Sequence, residues 1–311
     1  MDPILSIRGV RKSFGDVKAV NGISFDVRKG SITGLLGRNG AGKTTTIRMI
    51  TGIFMPDEGS IEWRGSASSS FRDEVGYLPE ERGLYRQMKV TEQLLFLAQI
   101  KGRSAGSVAA RAETWLRRFE LWDKRDAKVE ELSKGNQQKV QLIGTLLHDP
   151  ELLILDEPMS GLDPVNVKLV RDLLKQLRDE GRTILLSTHM MGEAEKMADD
   201  IVLVHGGEVV LSGSLDVVRA SEGTNSIIVE YDGDGRFLET LPGVVRATIH
   251  NNSAELRLDR DADTQSILHA VVPRLKLSRF EVATPSLEEI FIGRVGVETL
   301  AAQTAAQGGV A

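Results

Sequence analysis

The chain has 311 residues, a formal net charge of −5 and no cysteine, and 41% of its residues are hydrophobic. The lack of cysteine excludes disulfides, thiolate metal sites and cysteine nucleophiles. The mildly acidic balance argues against a protein that coats nucleic acid, because phosphate backbones are bound chiefly by clustered Lys and Arg. This length predicts about two domains.

The first predicted elements lead into a phosphate-binding loop. Apolar runs at residues 4–10, 23–27 and 32–36 predict strands. The third strand is followed directly by a full match to the phosphate-loop pattern, Gly37-Arg38-Asn39-Gly40-Ala41-Gly42-Lys43-Thr44. Residues 44–50 then open a helix, so the positive end of its dipole faces the phosphates. An ordinary glycine-rich turn is the weaker alternative, because both flanks and every fixed position agree with the pattern.

Each residue type that the phosphate-loop pattern fixes has a physical purpose. Glycines let backbone N–H groups approach and cradle phosphates, Lys43 reaches the β- and γ-phosphates, and the Thr44 hydroxyl can ligate Mg²⁺. The sequence therefore predicts a site for a nucleotide and Mg²⁺.

The middle of the chain reads as two strands and a helical insert. Residues 61–63 and 75–78 predict strands, and residues 90–119 predict helix with Thr91 as N-cap. The polar segment Leu132–Gln138 then opens a helix to about His148, and such a helix start can bind an anion. One nucleotide rarely needs two such starts in one small domain, unless the second faces a nucleotide held by another copy of the chain.

A buried strand at residues 152–155 ends in Asp156 and Glu157. Asp156 can hold Mg²⁺ opposite Thr44, and Glu157 can polarise water. A purely structural role for this acid pair is unfavourable, because adjacent buried carboxylates are costly unless their charge is compensated. His189 follows a strand at residues 183–187 and can reach the γ-phosphate, although a lone His is more often structural.

The last third predicts a second domain. Residues 201–205 and 208–212 predict a hairpin, and from about residue 225 the pattern becomes βαββαβ, typical of a ferredoxin-like α+β module. We expect an ATP-binding domain over 1–220 with a helical subdomain at about 88–148, an accessory domain over 221–300 and a flexible tail over 301–311.

These motifs, in this order over about residues 4 to 220, resemble the nucleotide-binding subunit of an ABC transporter. The resemblance implies a P-loop ABC ATPase fold, α/β with a mixed sheet core, and identifies the switch histidine as His189. It implies three sets of residues. Those for ATP are Phe14, Gly37, Arg38, Asn39, Gly40, Ala41, Gly42, Lys43, Thr44, Thr45, Ser133, Gly135 and Asp163; those for catalysis are Glu157, His189 and Lys43; those for the metal are Thr44, Asp156 and Glu80.

The chain departs from the family pattern at two places. The signature segment has Lys134 and Asn136 where the family usually has Gly and Gln, so Ser133 and Gly135 carry the implied γ-phosphate contact. Glu80 stands where the family places a metal-contacting glutamine. A carboxylate would ligate Mg²⁺ more strongly than an amide but would repel the γ-phosphate, and the sequence leaves both effects open. Phe14, implied to stack on adenine, is alternatively a core residue.

The resemblance also implies partners and a location. Two copies, or one copy and a related subunit, would sandwich two ATP molecules and drive a separately encoded membrane permease from the cytoplasmic face, with no nucleic acid involved. Residues 80–85, Lys134 and residues 284–291 resemble the sodium- or drug-efflux branch of bacterial exporters, although 284–291 fit equally a closing helix capped by Ser286. Two alternatives remain: a soluble ABC ATPase that remodels a macromolecule, and a regulator in which the C-terminal module senses a ligand.

Overall fold

The computed structural model describes residues 3–65, 74–81, 83–221, 226–259, 262–283 and 285–296. The chain divides into two compact units between Ser214 and Leu215. The sequence predicts this boundary after residue 220, and the flexible tail predicted at 301–311 lies outside the described residues.

The first unit alternates strands with helices. In chain order they are β1 (Pro3–Phe14), β2 (Val17–Arg28), β3 (Ile32–Leu36), α1 (Lys43–Ile50), β4 (Glu58–Trp63), β5 (Val75–Leu78), α2 (Val90–Ile100), α3 (Ala105–Arg118), α4 (Lys134–Leu146), β6 (Leu152–Asp156), α5 (Pro164–Asp179), β7 (Thr183–Thr188), α6 (Met191–Ala194), β8 (Asp200–His205) and β9 (Glu208–Ser214), with 3-10 helices at Trp122–Lys124 and Val129–Glu131.

Two sheets form the core of this unit. A three-stranded antiparallel sheet has the order β2-β1-β4, and a six-stranded mixed sheet has the order β5-β6-β7-β3-β8-β9. In the larger sheet β5, β6, β7, β3 and β8 run parallel and β9 is antiparallel. Every residue of β3, β6 and β7 is buried, as their continuous apolar runs require. The carboxyl ends of the parallel strands therefore meet at one edge.

The helices α2, α3 and α4 lie within residues 88–148, where a helical subdomain is predicted, and their starts differ in how they are capped. The Ser104 and Ser133 hydroxyls accept hydrogen bonds from backbone N–H groups at the starts of α3 and α4. The predicted N-cap Thr91 is wrong: the cap of α2 is Lys89, and the Thr91 hydroxyl lies inside the helix and donates to the Arg125 carbonyl at 2.9 Å. None of the helices in the described residues is both long and apolar enough to cross a membrane.

The second unit is an antiparallel sheet with helices. Its elements are α7 (Leu215–Ser221), β10 (Ser226–Asp232), a 3-10 helix (Arg236–Thr240), β11 (Val244–His250), β12 (Ser253–Leu258), α8 (Thr264–Val271) and β13 (Lys276–Ala283), and residues 287–296 are helical. The sheet has the order β11-β12-β10-β13. The helix predicted near Phe237 is a short 3-10 helix instead, and the ferredoxin-like assignment stays a prediction. Ser286 and Glu289 form a reciprocal cap at the last helix.

Candidate active site

Three strand ends bring the predicted site residues together. In the parallel register, Leu36 at the end of β3 lies beside Thr188 of β7, and Asp156 at the end of β6 lies beside Ser187. The loop after β3 and the first residues after β6 and β7 therefore share one edge of the sheet. Open α/β sheets bind ligands at this edge.

Glycine is required where the phosphate loop passes close to neighbouring backbone. Gly42, which precedes α1, has φ +104°, and a Cβ there would lie 2.5 Å from the Ala19 carbonyl oxygen. A Cβ on Gly37 would lie 2.3 Å from the Val204 carbonyl oxygen. Gly42 leaves the first N–H groups of α1 without a side-chain cap. Uncapped N–H groups at a helix start suit an anion.

The ammonium group of Lys43 is held by oxygen atoms. Its Nζ donates to the carbonyl oxygens of Gly37 at 2.8 Å and Arg38 at 3.2 Å, and it lies 3.5 Å from Glu157 Oε1. Both Lys43 and Glu157 are buried. The carboxylate of Glu157 balances the charge of the buried ammonium group. The ammonium group can still bind a phosphate, because a phosphate carries more negative charge than the two carbonyl oxygens that now accept its hydrogen bonds.

Asp156 is a buried carboxylate with one oxygen satisfied and one not. Its Oδ1 accepts hydrogen bonds from the Ser187 hydroxyl and, at 3.3 Å, from the Thr44 hydroxyl. Its Oδ2 is buried with no hydrogen-bond partner among the described residues. Burial raises the pKa of Asp156, the hydrogen bonds from Ser187 and Thr44 lower it, and the charges of Glu80 and Glu157 raise it.

Glu157 adopts an unusual backbone conformation. Its φ is +50°, in the left-handed region that non-glycine residues rarely occupy. Its N–H is held by Ser187, through the hydroxyl at 3.1 Å and the carbonyl at 3.2 Å. Its Oε2 lies 3.0 Å from Nδ1 of His189, whose side chain is half-exposed. Such local strain persists where the surroundings over-determine it, and it clusters at functional sites.

An open cavity of about 450 Å³ runs along the phosphate loop. Its lining includes residues 39–45 of the loop and α1 together with Glu80 and Glu157. The lining of a second cavity of about 660 Å³ includes Arg38 and His189, and the two cavities share residues 39–41 of the loop. Among the described residues, Ser133 and Gly135 line neither cavity; Ser133 caps α4 and Gly135 packs near Leu162.

Two further residues predicted to contact ATP, Asp163 and Phe14, make contacts within their own chain. Asp163 caps α5 by accepting hydrogen bonds from the N–H groups of Val165 and Asn166, each at 3.0 Å, and these bonds lower its pKa. Phe14, at the end of β1, is 46% exposed and packs edge-on against Phe54, with 5.4 Å between ring centroids. This exposure leaves ring surface available for stacking.

Sequence reasoning missed Ser187, which holds both acids of the pair. It belongs to an apolar strand, and only its place at the strand's carboxyl end distinguishes it. The described residues hold no group of three or more His, Asp or Glu side chains that could bind a metal by themselves.

Both parts of the chain match known protein families. Residues 20–160 match the ABC transporter family, and residues 213–295 match the family of ATP-binding protein DrrA1-3-like C-terminal domains. The ABC transporter ATP-binding protein YhaQ of Bacillus subtilis (strain 168) is 43% identical over 94% of this chain and 99% of its own length. The Nod factor export ATP-binding protein I of Rhizobium sp. (strain N33) is 35% identical over 94% of this chain and 97% of its own length.

The fold is also similar to solved structures. A structure described as the ATP binding subunit of an ABC transporter superposes with a TM-score of 0.66 at 32% identity, and covers 71% of this chain and 93% of its own. A structure of cbiO1 from Clostridium perfringens superposes with a TM-score of 0.62 at 28% identity, covering 71% of this chain and 92% of its own.

Proposed function

The chain belongs to the ATP-binding subunits of ABC transporters, and we propose that its hydrolysis of ATP drives a separately encoded membrane permease. The observation that carries the proposed chemistry is the convergence of Lys43, Thr44, Asp156, Glu157 and His189 at one sheet edge. Their charges and spacing suit phosphoryl transfer to water, which needs positioning and charge stabilisation rather than covalent catalysis.

Glu157 and Lys43 change partners in this scheme. When the phosphates of ATP enter the cavity, Lys43 leaves the carbonyls of the loop and contacts the β- and γ-phosphates. Glu157 then orients a water molecule or accepts its proton. His189, 3.0 Å from the Glu157 carboxylate, holds that carboxylate in place and reaches toward the γ-phosphate. The 3.5 Å ion pair between Lys43 and Glu157 supports this exchange, because two side chains this close together could both contact one bound phosphate.

Thr44 and Asp156 are the proposed residues for Mg²⁺. The buried, unpartnered Oδ2 of Asp156 and the Thr44 hydroxyl, which lies 3.3 Å from Oδ1 of the same carboxylate, are hard oxygen donors, which fit this ion. When bound, Mg²⁺ neutralises charge that develops on the phosphates. Proteins commonly bind Mg²⁺ with one or two side chains together with the phosphates of the substrate. Two ligands from the protein, Asp156 and Thr44, would therefore be enough. Glu80, which lines the cavity along the phosphate loop, is proposed as a further ligand.

Each copy supplies half of an ATP site in this proposal. Ser133 and Gly135 lie at the start of α4, outside the cavity of their own chain. A second copy, or a related subunit, placed head to tail would bring its own α4 start to the γ-phosphate. Two ATP molecules would then be sandwiched between the subunits, and Phe14 would stack on each adenine.

We further propose that the permease belongs to an exporter and that the subunit works on the cytoplasmic face of the membrane. The relative from Rhizobium is named for export, and the C-terminal match is to proteins of the DrrA1-3 type. The cargo would be an ion, a drug or another small molecule, and its binding pocket would belong to the permease.

The test is Glu157→Gln, which keeps size and hydrogen bonding but removes the charge that acts on water. It should bind ATP, hydrolyse it slower by orders of magnitude, and elute as a dimer on size exclusion with ATP. Glu180→Gln, the same change at an exposed glutamate after α5, is the matched control and should behave as the parent. Unchanged turnover in Glu157→Gln would contradict the assigned role.

A further inference from the structure

A buried glutamine on α4 holds the backbone on both sides of Glu80. The side-chain amide of Gln141 donates hydrogen bonds to the carbonyl oxygens of Pro79 and Glu81, each at 3.2 Å. Gln141 is 5% exposed. Both partners are acceptors, so the NH₂ group must face them and the orientation of the amide is determined. Glu80, the residue between these two carbonyls, lines the cavity along the phosphate loop.

Packing alone does not account for a glutamine at this position. Oε1 of Gln141 is buried and has no hydrogen-bond partner among the described residues. A buried polar atom without a partner destabilises the folded state, and an apolar side chain of similar size would avoid that cost. The two bonds to the loop are what the glutamine adds.

The far end of the same loop is held in a similar way. Gln93 of α2 is fully buried, and its Oε1 accepts a hydrogen bond from the Tyr85 N–H at 2.7 Å. Backbone groups after β5 are thus bound to side chains of α2 and α4. Ser133 caps the second of these helices, and Gln141 lies about 12 Å along the helix axis from that cap.

We propose that Gln141 is a positioning residue for Glu80: its two hydrogen bonds set where the Glu80 carboxylate lies in the lining of the nucleotide cavity. The inference rests on the proposed function, because ATP and Mg²⁺ are the groups that Glu80 would face. Without the two bonds, the peptide groups around Glu80 lose their fixed partners. ATP would still bind through the phosphate loop, while the carboxylate would spend less time in its working position.

A double-mutant cycle tests this role. Gln141→Leu removes both donors and keeps the volume, and Glu80→Ala removes the carboxylate. Gln141→Leu should lower kcat about five- to thirtyfold, raise the Mg²⁺ concentration for half-maximal activity, and leave affinity for a fluorescent ATP analogue within about twofold. In the Glu80→Ala background the same change should lower kcat by less than about twofold, because nothing is left to position.

Thr145→Val is the matched control. Thr145 lies one turn further along α4, and its hydroxyl donates to the carbonyls of Gln141 at 3.0 Å and Tyr77 at 3.4 Å rather than to the loop. Its loss should lower the melting temperature but leave the Mg²⁺ curve unchanged. Gln141→Ala serves as a second variant, because it removes the donors without overpacking. If neither variant of Gln141 folds, its role is structural and the inference is wrong.

The outcomes separate the inference from the proposed function. Additive losses in the cycle, or a Gln141→Leu variant with the parent's kcat and Mg²⁺ curve, would overturn the positioning role while ATP hydrolysis by the parent stands. A parent chain that does not hydrolyse ATP would refute the proposed function and, with it, the inference. A Gln141→Leu effect on kcat that disappears in the Glu80→Ala background, together with a shifted Mg²⁺ curve for Gln141→Leu alone, supports it.

Discussion

Asp156→Asn should stabilise the chain in the absence of nucleotide and Mg²⁺. Asp156 is fully buried, burial raises the pKa of its carboxyl, and its Oδ2 has no hydrogen-bond partner among the described residues. The neutral amide keeps the shape and an oxygen for the bonds from Ser187 and Thr44. It removes a desolvated charge that lies near two other carboxylates. The ATPase activity should be lost, because the proposed metal ligand is weakened.

The size of the effect follows from the charge on the carboxylate, because the neutral amide NH₂ that replaces Oδ2 lacks a partner as well. A buried neutral group without a partner costs about 1–3 kcal/mol and a charged one costs more, so we take the excess cost of the charge as on the order of 1–3 kcal/mol. For a unit of this length, each kcal/mol of unfolding free energy corresponds to roughly 2–4 °C in melting temperature. We therefore expect Asp156→Asn to melt roughly 2–12 °C above the parent at neutral pH. Thermal unfolding followed by circular dichroism, with a chelator present, measures it.

The pH dependence checks the cause. The pKa of Asp156 is raised in the folded state, so the folded chain retains a proton that the unfolded chain loses above the ordinary value of 3.8. The parent therefore loses stability as pH rises from that value through the raised pKa. The advantage of Asp156→Asn should be largest at neutral pH and should shrink on acidification. A variant less stable than the parent at neutral pH would refute the reasoning, as would an advantage that grows on acidification.

Four further changes have defined outcomes. Phe14→Ala should weaken ATP affinity by about 0.5–1.5 kcal/mol in a nucleotide titration, and a large fall in nucleotide-free melting temperature would instead make it a core residue. Gly42→Ala should abolish nucleotide binding, because the new methyl group would lie 2.5 Å from the Ala19 carbonyl oxygen. Glu80→Gln should raise the Mg²⁺ requirement of hydrolysis if the carboxylate is a ligand, and raise ATP affinity if repulsion dominates. A chain ending at Ser214 should stay soluble and bind ATP, and its aggregation would contradict two independent units.

The prediction of a P-loop ABC ATPase fold is confirmed, and it succeeded because its signals are contiguous. The strand β3, the phosphate loop and α1 follow one another without a gap, so the order of residues already dictates the geometry. The same holds for β6 and the acids that end it. The prediction of Thr91 as N-cap failed because its hydroxyl donates a hydrogen bond to the carbonyl of Arg125, which is distant in the sequence. Residue type alone carries no information about that partner.

Contacts between distant segments explain what the sequence could not predict. Ser187 meets Asp156 only because β6 and β7 are paired in parallel, and Gln141 meets the loop of Glu80 only because α4 packs near the end of β5. Both are polar residues at buried positions, where each unpaired atom destabilises the fold. A polar residue at a buried position is favourable when its hydrogen bonds hold another group in place. Ser187 holds Asp156 in this way, and Gln141 holds the backbone around Glu80. The local sequence pattern therefore predicts only that Ser187 and Gln141 are buried, and it does not show that they hold the proposed metal ligands.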